Sequence, residues 1–342
     1  MELDLRVSEP EVSEPDIVVF APNPTLTVTI EDMGGVPDIH IHAGGQGAWQ
    51  ARMAHLLGRD VAVCAVLSGE SGRVIRHLLE DEGIQVKSVE GHGASSAYVH
   101  DRRAGRREEI AAAPGEKLSR HELDELHGLV LREGLAAGVA VLSGAVRDDA
   151  VPVDMYRRLA ADLRSGGCRV IADLSGERLS AAISGGLAVV KVAHNELIES
   201  GRADDDSTDE LIRAMREMAA EGADAVVLTR GAKPALFLED GEVAEIRVPE
   251  LQVVDEHGAG DSLTGAVAAA LSEGANLGDA VVLGAAAGAN NVTRHGLGSG
   301  NVESIRRLAT LVEVMPFDDE EEGAGTDEQA SPQDLARKAR IE

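Results

Sequence analysis

The stretch Val253-Val254-Asp255-Glu256-His257-Gly258-Ala259-Gly260-Asp261-Ser262-Leu263-Thr264-Gly265 sets two glycines and a carboxylate where an apolar, strand-like run gives way to an Ala-rich helical one. The first N–H groups of a helix have no intrahelical partner and lie at the positive end of the macrodipole, so negative charge developing on a phosphoryl group is stabilised there. Glycine at Gly258 and Gly260, on either side of Ala259, lets the backbone come within contact distance of such a group. Asp261, at the helix entrance, is placed to accept a proton from a hydroxyl that attacks phosphorus. The same residue types also make an ordinary strand-to-helix turn with a capping aspartate, and taken alone the turn leaves both readings open.

Outward from this turn, short apolar runs at 17–20, 61–67, 139–142, 169–173, 189–192, 225–229 and 235–238 have the character of strands buried on both faces. Helical stretches such as 69–82, 154–164 and 208–221 separate them. The alternation predicts an α/β fold with a mainly parallel central sheet, helices on both sides, and ligands beyond the carboxyl ends of the strands. Two stretches, 25–42 and 96–110, alternate like antiparallel strands instead.

The 342 residues are many for one domain, yet open α/β folds run long and a chain of this length buries a sizeable core. With one Trp, two Tyr and three Phe, that core must be built from Leu, Val, Ile and Ala, and base stacking on nucleic acid has little to work with. The formal net charge of −28 repels polyanions and anionic membranes, which excludes both as expected partners. Anionic ligands then need local cations or Mg²⁺ to offset the background. Cys64 and Cys168 sit in apolar runs without a CxxC partner and read as buried free thiols of a reducing compartment. No apolar run reaches the length of a membrane span and the acidic first residues are unlike a signal peptide, so a cytoplasmic protein is expected. Residues 1–15 and 318–342 are acidic and aperiodic and read as disordered ends, apart from a short polar helix at 332–341. They leave 16–317 as the folded domain.

The turn Gly258-Ala259-Gly260-Asp261 resembles the G-A-G-D signature of the ribokinase-like (PfkB) carbohydrate kinases. A second segment, His42-Ala43-Gly44-Gly45-Gln46-Gly47-Ala48-Trp49-Gln50-Ala51-Arg52-Met53-Ala54-His55-Leu56-Leu57-Gly58, resembles that family's first signature, a Gly-Gly turn opening a helix that ends in Leu-Gly. The similarity runs in family order through Ser143-Gly144, Asp173, 191–196 and Thr229-Arg230-Gly231, and covers roughly residues 17–317. The start Ala21-Pro22-Asn23-Pro24-Thr25-Leu26-Thr27 is similar to the 1-phosphofructokinase and tagatose-6-phosphate kinase branch, whose first strand ends in an Asn-Pro turn.

The resemblance implies a three-layer ribokinase-like fold in which 25–42 and 96–110 form a small β-lid over the sugar, excluding water as a competing acceptor. It implies ATP-dependent transfer to a hydroxymethyl group of a sugar or sugar phosphate, with Mg²⁺, Asp261 as base and the N–H groups of Gly258, Ala259 and Gly260 as anion hole. Thr229 and Gly231 would hold ATP phosphates, Asn290 would lie in the adenine site on an Ala-rich helix from Ala285, and Glu196 would organise Mg²⁺. Asn23, Thr27, Gly44, Gly45, Gln46 and Trp49 would line the sugar site. Packing of two lids would make a homodimer. Read from residue types alone, Thr229-Arg230-Gly231 is equally an ordinary turn, and the Ala-rich helix a buried helix packed by small residues.

Several positions depart from the family pattern. The Asn of an Asn-x-x-Glu metal motif is Ala193 here, with Glu196 kept, and Asp255-Glu256-His257 replaces an Asp-Thr pair tied to a monovalent-cation site. The sugar-binding Asp is Thr27, a phosphate-pairing Lys is Gln46, an Asn is Trp49, and a phosphate-gripping lid Arg is Ser96. Neutral donors make weaker bonds to phosphate than charged ones, which argues against a phosphorylated acceptor. Trp49 reads either as a flat apolar wall of the pocket or as a core residue on a helix face. The run Arg102-Arg103-Ala104-Gly105-Arg106-Arg107 is either a solvated hairpin turn or a replacement for the missing phosphate-binding charge. His40 and His42 lack further partners at metal-ligand spacing and read as lid or solvent histidines. A catalytically weak or silent sugar- or nucleotide-binding regulator of the same fold is the alternative function these losses suggest.

Overall fold

The computed structural model describes residues 14–317 except 148, 250, 255–256 and 294–299. The acidic ends at 1–13 and 318–342, and the Asp255-Glu256 departure, lie outside the described residues. The chain begins with β1 (Ile17–Phe20), a hairpin of β2 (Thr25–Met33) and β3 (Val36–Gly44), α1 (Gln46–Leu56), β4 (Val61–Leu67), α2 (Gly69–Asp81) and β5 (Gln85–Glu90). A second hairpin, β6 (Ala97–Asp101) and β7 (Glu108–Ala113), precedes α3 (Arg120–Ala137), β8 (Val139–Ser143), α4 (Val153–Ser165), β9 (Arg169–Asp173), α5 (Gly176–Gly185) and β10 (Leu187–Ala193). Then come α6 (His194–Glu199), α7 (Thr208–Glu221), β11 (Ala223–Arg230), β12 (Lys233–Glu239), β13 (Glu242–Arg247), α8 (Ala259–Ser272), α9 (Leu277–Val292), α10 (Val302–Ala309) and β14 (Glu313–Pro316).

The large sheet runs β14-β13-β12-β11-β10-β9-β8-β1-β4-β5, parallel from β11 to β5 and antiparallel from β11 to β14. Its inner strands are apolar throughout because helices cover both faces: every residue of β1 and β4 is buried. Leu126, Tyr156, Leu163 and Met215 fill one side, and Met53, Val267 and Val281 the other. In the core Phe20 and Tyr156 pack together, their rings meeting edge-on at 5.6 Å. Cys64 and Cys168 are buried free thiols, pushed up to about 12 mainly by burial.

Strand order reverses at β1, which lies between β4 and β8, so a crevice opens at the carboxyl ends of these strands. The two alternating stretches fold as hairpins, and a parallel pairing of β2 with β6 joins them into a four-stranded sheet, β3-β2-β6-β7. The Ala-rich helix begins at Leu277 rather than Ala285. Asn276 caps it by accepting from the Asp279 N–H at 2.8 Å, adding two turns that the Gly278 in the sequence conceals.

Candidate active site

Gly258 stands at the N-cap of α8 with φ of 80°, a left-handed conformation that favours glycine, and the helix starts at once behind it. Asn291, the penultimate residue of α9, donates from Nδ2 to the His257 carbonyl at 2.8 Å and so anchors the turn from behind. Close packing of α8 on α1 sets the depth of Asp261. A Cβ on Gly265 would meet the Gln50 carbonyl oxygen at 2.4 Å, so only glycine allows the approach.

That approach seats Gln50, wholly buried, between two carboxylates. Its Nε2 donates to Asp173 Oδ2 at 3.0 Å and, at 3.4 Å, to Asp261 Oδ1, while Ser143 Oγ donates to its Oε1 at 2.5 Å. Asp173 also accepts from Thr264 Oγ1 at 2.9 Å and from Lys191 Nζ at 3.1 Å. The Lys191 ammonium abuts Gly260, where a Cβ would lie 2.5 Å from Nζ. Burial works against the charge on Lys191, but Asp173, Glu196 and Asp261 outweigh it, and its pKa is raised. Burial first, and then the neighbouring Asp173 carboxylate, push Asp261 up to about 7, with Lys191 and Gln50 opposing. A carboxylate held near neutrality beside helix-start N–H groups has the character of a general base.

Glu196 follows the end of β10, and its Oε2 accepts from the Ala193 N–H at 2.8 Å. Thr229 is the register partner of Ala193 on the adjoining strand, so Glu196 and the Thr229–Gly231 turn share one end of the sheet. The basic residues of that turn are taken up structurally: Arg230 pairs with Glu245 at 3.0 Å and Lys233 with Asp206 at 2.9 Å. Asn290 is also committed, its Oδ1 accepting from the Asn301 N–H at 3.1 Å. Among the described residues no three His, Cys, Asp or Glu groups converge as a metal cage.

On the sugar side, Asn23 and Gln46 converge on the loop after β8, accepting from the Val146 N–H at 3.1 Å and the Gly144 N–H at 2.7 Å. Gly44, Gly45 and Trp49 form the corner where β3 enters α1, and Thr27 faces them from β2. Trp49 is only 7% exposed and lines a cavity of about 420 Å³ under the lid, together with Thr27, His42, His100 and His257. Its ring is covered by Arg52 at 4.4 Å and by His42 at 5.2 Å, so it is a wall already dressed with other groups rather than a bare platform. Ser96 does not reach the cavity. It is buried at the root of the lid, bonded to Thr25 Oγ1 at 2.6 Å and to the Pro24 carbonyl at 3.3 Å. The basic run divides: Arg103 and Arg106 are held outside by Asp101 and Glu108, whereas Arg102 and Arg107 line the cavity.

A doubly wound sheet covered at the carboxyl ends of its strands by a separate four-stranded lid is the ribokinase-like α/β architecture. Residues 22–304 match the pfkB family carbohydrate kinases, and the chain belongs to that family. It is 31% identical over 250 residues to the ATP-dependent 6-phosphofructokinase isozyme 2 of Escherichia coli (strain K12), covering 72% of this chain and 80% of that protein. Over 311 residues it is 27% identical to the 1-phosphofructokinase of Haloferax volcanii, covering 87% and 98%. The crystal structure of phosphofructokinase-2 from Escherichia coli in complex with fructose-6-phosphate is similar with a TM-score of 0.76 at 26% identity, covering 87% of this chain and 99% of that one. The chain is thus a phosphofructokinase-like sugar kinase of a family that uses ATP. Among the described residues no helix is long and apolar enough to cross a membrane.

Proposed function

We propose that residues 16–317 form a catalytic unit that transfers the γ-phosphoryl group of ATP to a hydroxymethyl group of a sugar or sugar-like acceptor. The observation that carries this reading is the placement of Asp261, half-buried, raised to about 7 and held at the start of α8. In its ionised form it takes the proton of the acceptor hydroxyl as that oxygen bonds to phosphorus and the bond to the β-phosphate oxygen breaks, releasing ADP. The N–H groups at Gly258, Ala259 and Gly260 receive the charge that accumulates, and the Lys191 ammonium behind Gly260 adds to the same field. Gln50 orients Asp261 and keeps it apart from Asp173.

Thr229 and Gly231 present the nucleotide turn, and Glu196 is the carboxylate assigned to Mg²⁺. Its Oε1 carries no hydrogen bond among the described residues, which suits a water-mediated contact better than a protein cage. Mg²⁺, when bound, supplies charge neutralisation on the phosphates. Two buried free thiols fit a cytoplasmic setting. A silent binding protein is the competing reading, favoured by Ala193 in place of a metal-organising side chain.

Asp261→Asn separates them. The amide is nearly isosteric, so ATP affinity should hold while phosphoryl transfer falls about 10²–10⁴-fold, the usual worth of a positioned general base. Turnover close to wild type would remove Asp261 from the chemistry, and no ADP release from wild type with any sugar would favour the binder.

A further inference from the structure

The inward face of the lid is polar and arranged in rows. Register sets Thr27 beside His42 and Tyr98, and the next row sets Thr29 beside His40 and His100. All six side chains line the cavity. Two polar atoms of this wall are buried with no hydrogen-bond partner among the described residues, Thr27 Oγ1 and His100 Nδ1. The residues are 1% and 5% exposed. Leaving a buried polar atom unpaired is costly, so two in one cavity wall point to a ligand that pairs them. The first packs against Gly44, where a Cβ would lie 2.5 Å from Thr27 Oγ1. The second belongs to a ring fixed through Nε2 by Thr29 Oγ1 at 3.0 Å.

The arginines of the cavity are largely taken up by groups that line it with them. Arg52 forks onto Glu82, donates to the Ala43 carbonyl at 2.7 Å and covers Trp49. Arg102 pairs with Glu31 at 3.6 Å, and His40 Nε2 lies 3.0 Å from an Asp38 carboxylate oxygen. Arg107 lies over Tyr98 and donates to its hydroxyl at 2.9 Å. Burial, with Arg52 and Arg107 respectively as the next cause, lowers His42 and His100 to about 4, so both rings are neutral at pH 7. A phosphate dianion calls for several charged donors. A sugar hydroxyl donates once and accepts, which matches a threonine hydroxyl and a neutral imidazole nitrogen.

Resting on the kinase reading above, we propose that the acceptor is an unphosphorylated sugar or polyol whose non-reacting hydroxyl groups pair Thr27 Oγ1 and His100 Nδ1. Calorimetric titration of the full chain, without nucleotide, tests this with D-fructose against fructose 1-phosphate and fructose 6-phosphate, and D-ribose against ribose 5-phosphate. At least one free sugar should bind about tenfold more tightly than its phosphate ester, a hydrogen bond of ordinary strength being worth such a factor. Thr27→Val and His100→Phe should each weaken that sugar about tenfold, and Thr27→Ser should restore it. Thr27→Val should melt at or above wild type, since it removes an unpaired atom, and this guards against a folding artefact. The proposal is overturned by a phosphate ester that binds more tightly than its parent and loses that advantage in Arg107→Ser. Unchanged affinity in Thr27→Val and His100→Phe, or no saturable binding of any free sugar, overturns it equally. A chain that binds free sugar through Thr27 yet releases no ADP refutes the kinase reading alone. One that phosphorylates only phosphate esters refutes the acceptor assignment alone.

Discussion

With Asp261 as the proposed base, its titration sets the pH window of the reaction. Its pKa is raised to about 7 by burial and by Asp173, so the base form accumulates as pH rises, and kcat/KM should climb about tenfold per pH unit below 7 and level off above it. A profile flat between pH 5 and 7 would contradict the assignment. The stability consequence has the opposite sense. The fold favours the neutral carboxyl, so its stabilisation is complete below the ordinary Asp range near pH 4 and lost as pH rises through about 7. Asp261→Asn, always neutral, should therefore melt above wild type by a margin that opens over that window. Asp261 and its glycines are legible in the sequence because strand, turn and helix start are consecutive. Gln50 is not, since its partners lie 123 and 211 residues away. The only hint is a polar residue among Ala48, Ala51 and Ala54 on a buried helix face.

The lid is the element whose alternation is legible and whose assembly is not. Periodicity shows which residues share a face, but the parallel joining of β2 to β6 brings together residues 71 apart, a distance no local pattern encodes. The alternation leaves an outward face bearing Val28, Ile30, Ile39, Ile41 and Val99, with Ile39 60% and Ile41 53% exposed. Apolar side chains on the solvent side of a four-stranded sheet suit a second copy of the same lid. Ile39→Lys with Ile41→Lys should convert a dimer into a monomer in sedimentation, whereas charges added to an already solvated face would leave the sedimentation coefficient unchanged. The split of the arginine run is likewise a matter of assembly. Asp101 and Glu108 claim Arg103 and Arg106 once the hairpin forms, which composition alone does not reveal.

At the scale of the whole molecule, the surplus of acid decides how the protein responds to salt. A net charge of −28 repels itself in the compact state more than in the expanded one, and screening over a Debye length relieves that repulsion. The melting temperature should rise as NaCl is raised from about 0.05 to 1 M. A fall would mean that the many surface arginine–carboxylate pairs matter more than the net charge. The layered α/β architecture was legible because its central strands are unbroken apolar runs. The antiparallel edge was legible only at β12, since β13 mixes charged with apolar residues and β14 is exposed throughout. The sheet also encloses the two cysteines, Cys64 at 0% and Cys168 at 5% exposure, with thiols that stay protonated at neutral pH. An alkylating reagent meets a thiolate there only after the strands have parted. The labelling rate of this chain in water therefore counts openings of its interior, and gives a clock for its lifetime in the folded state.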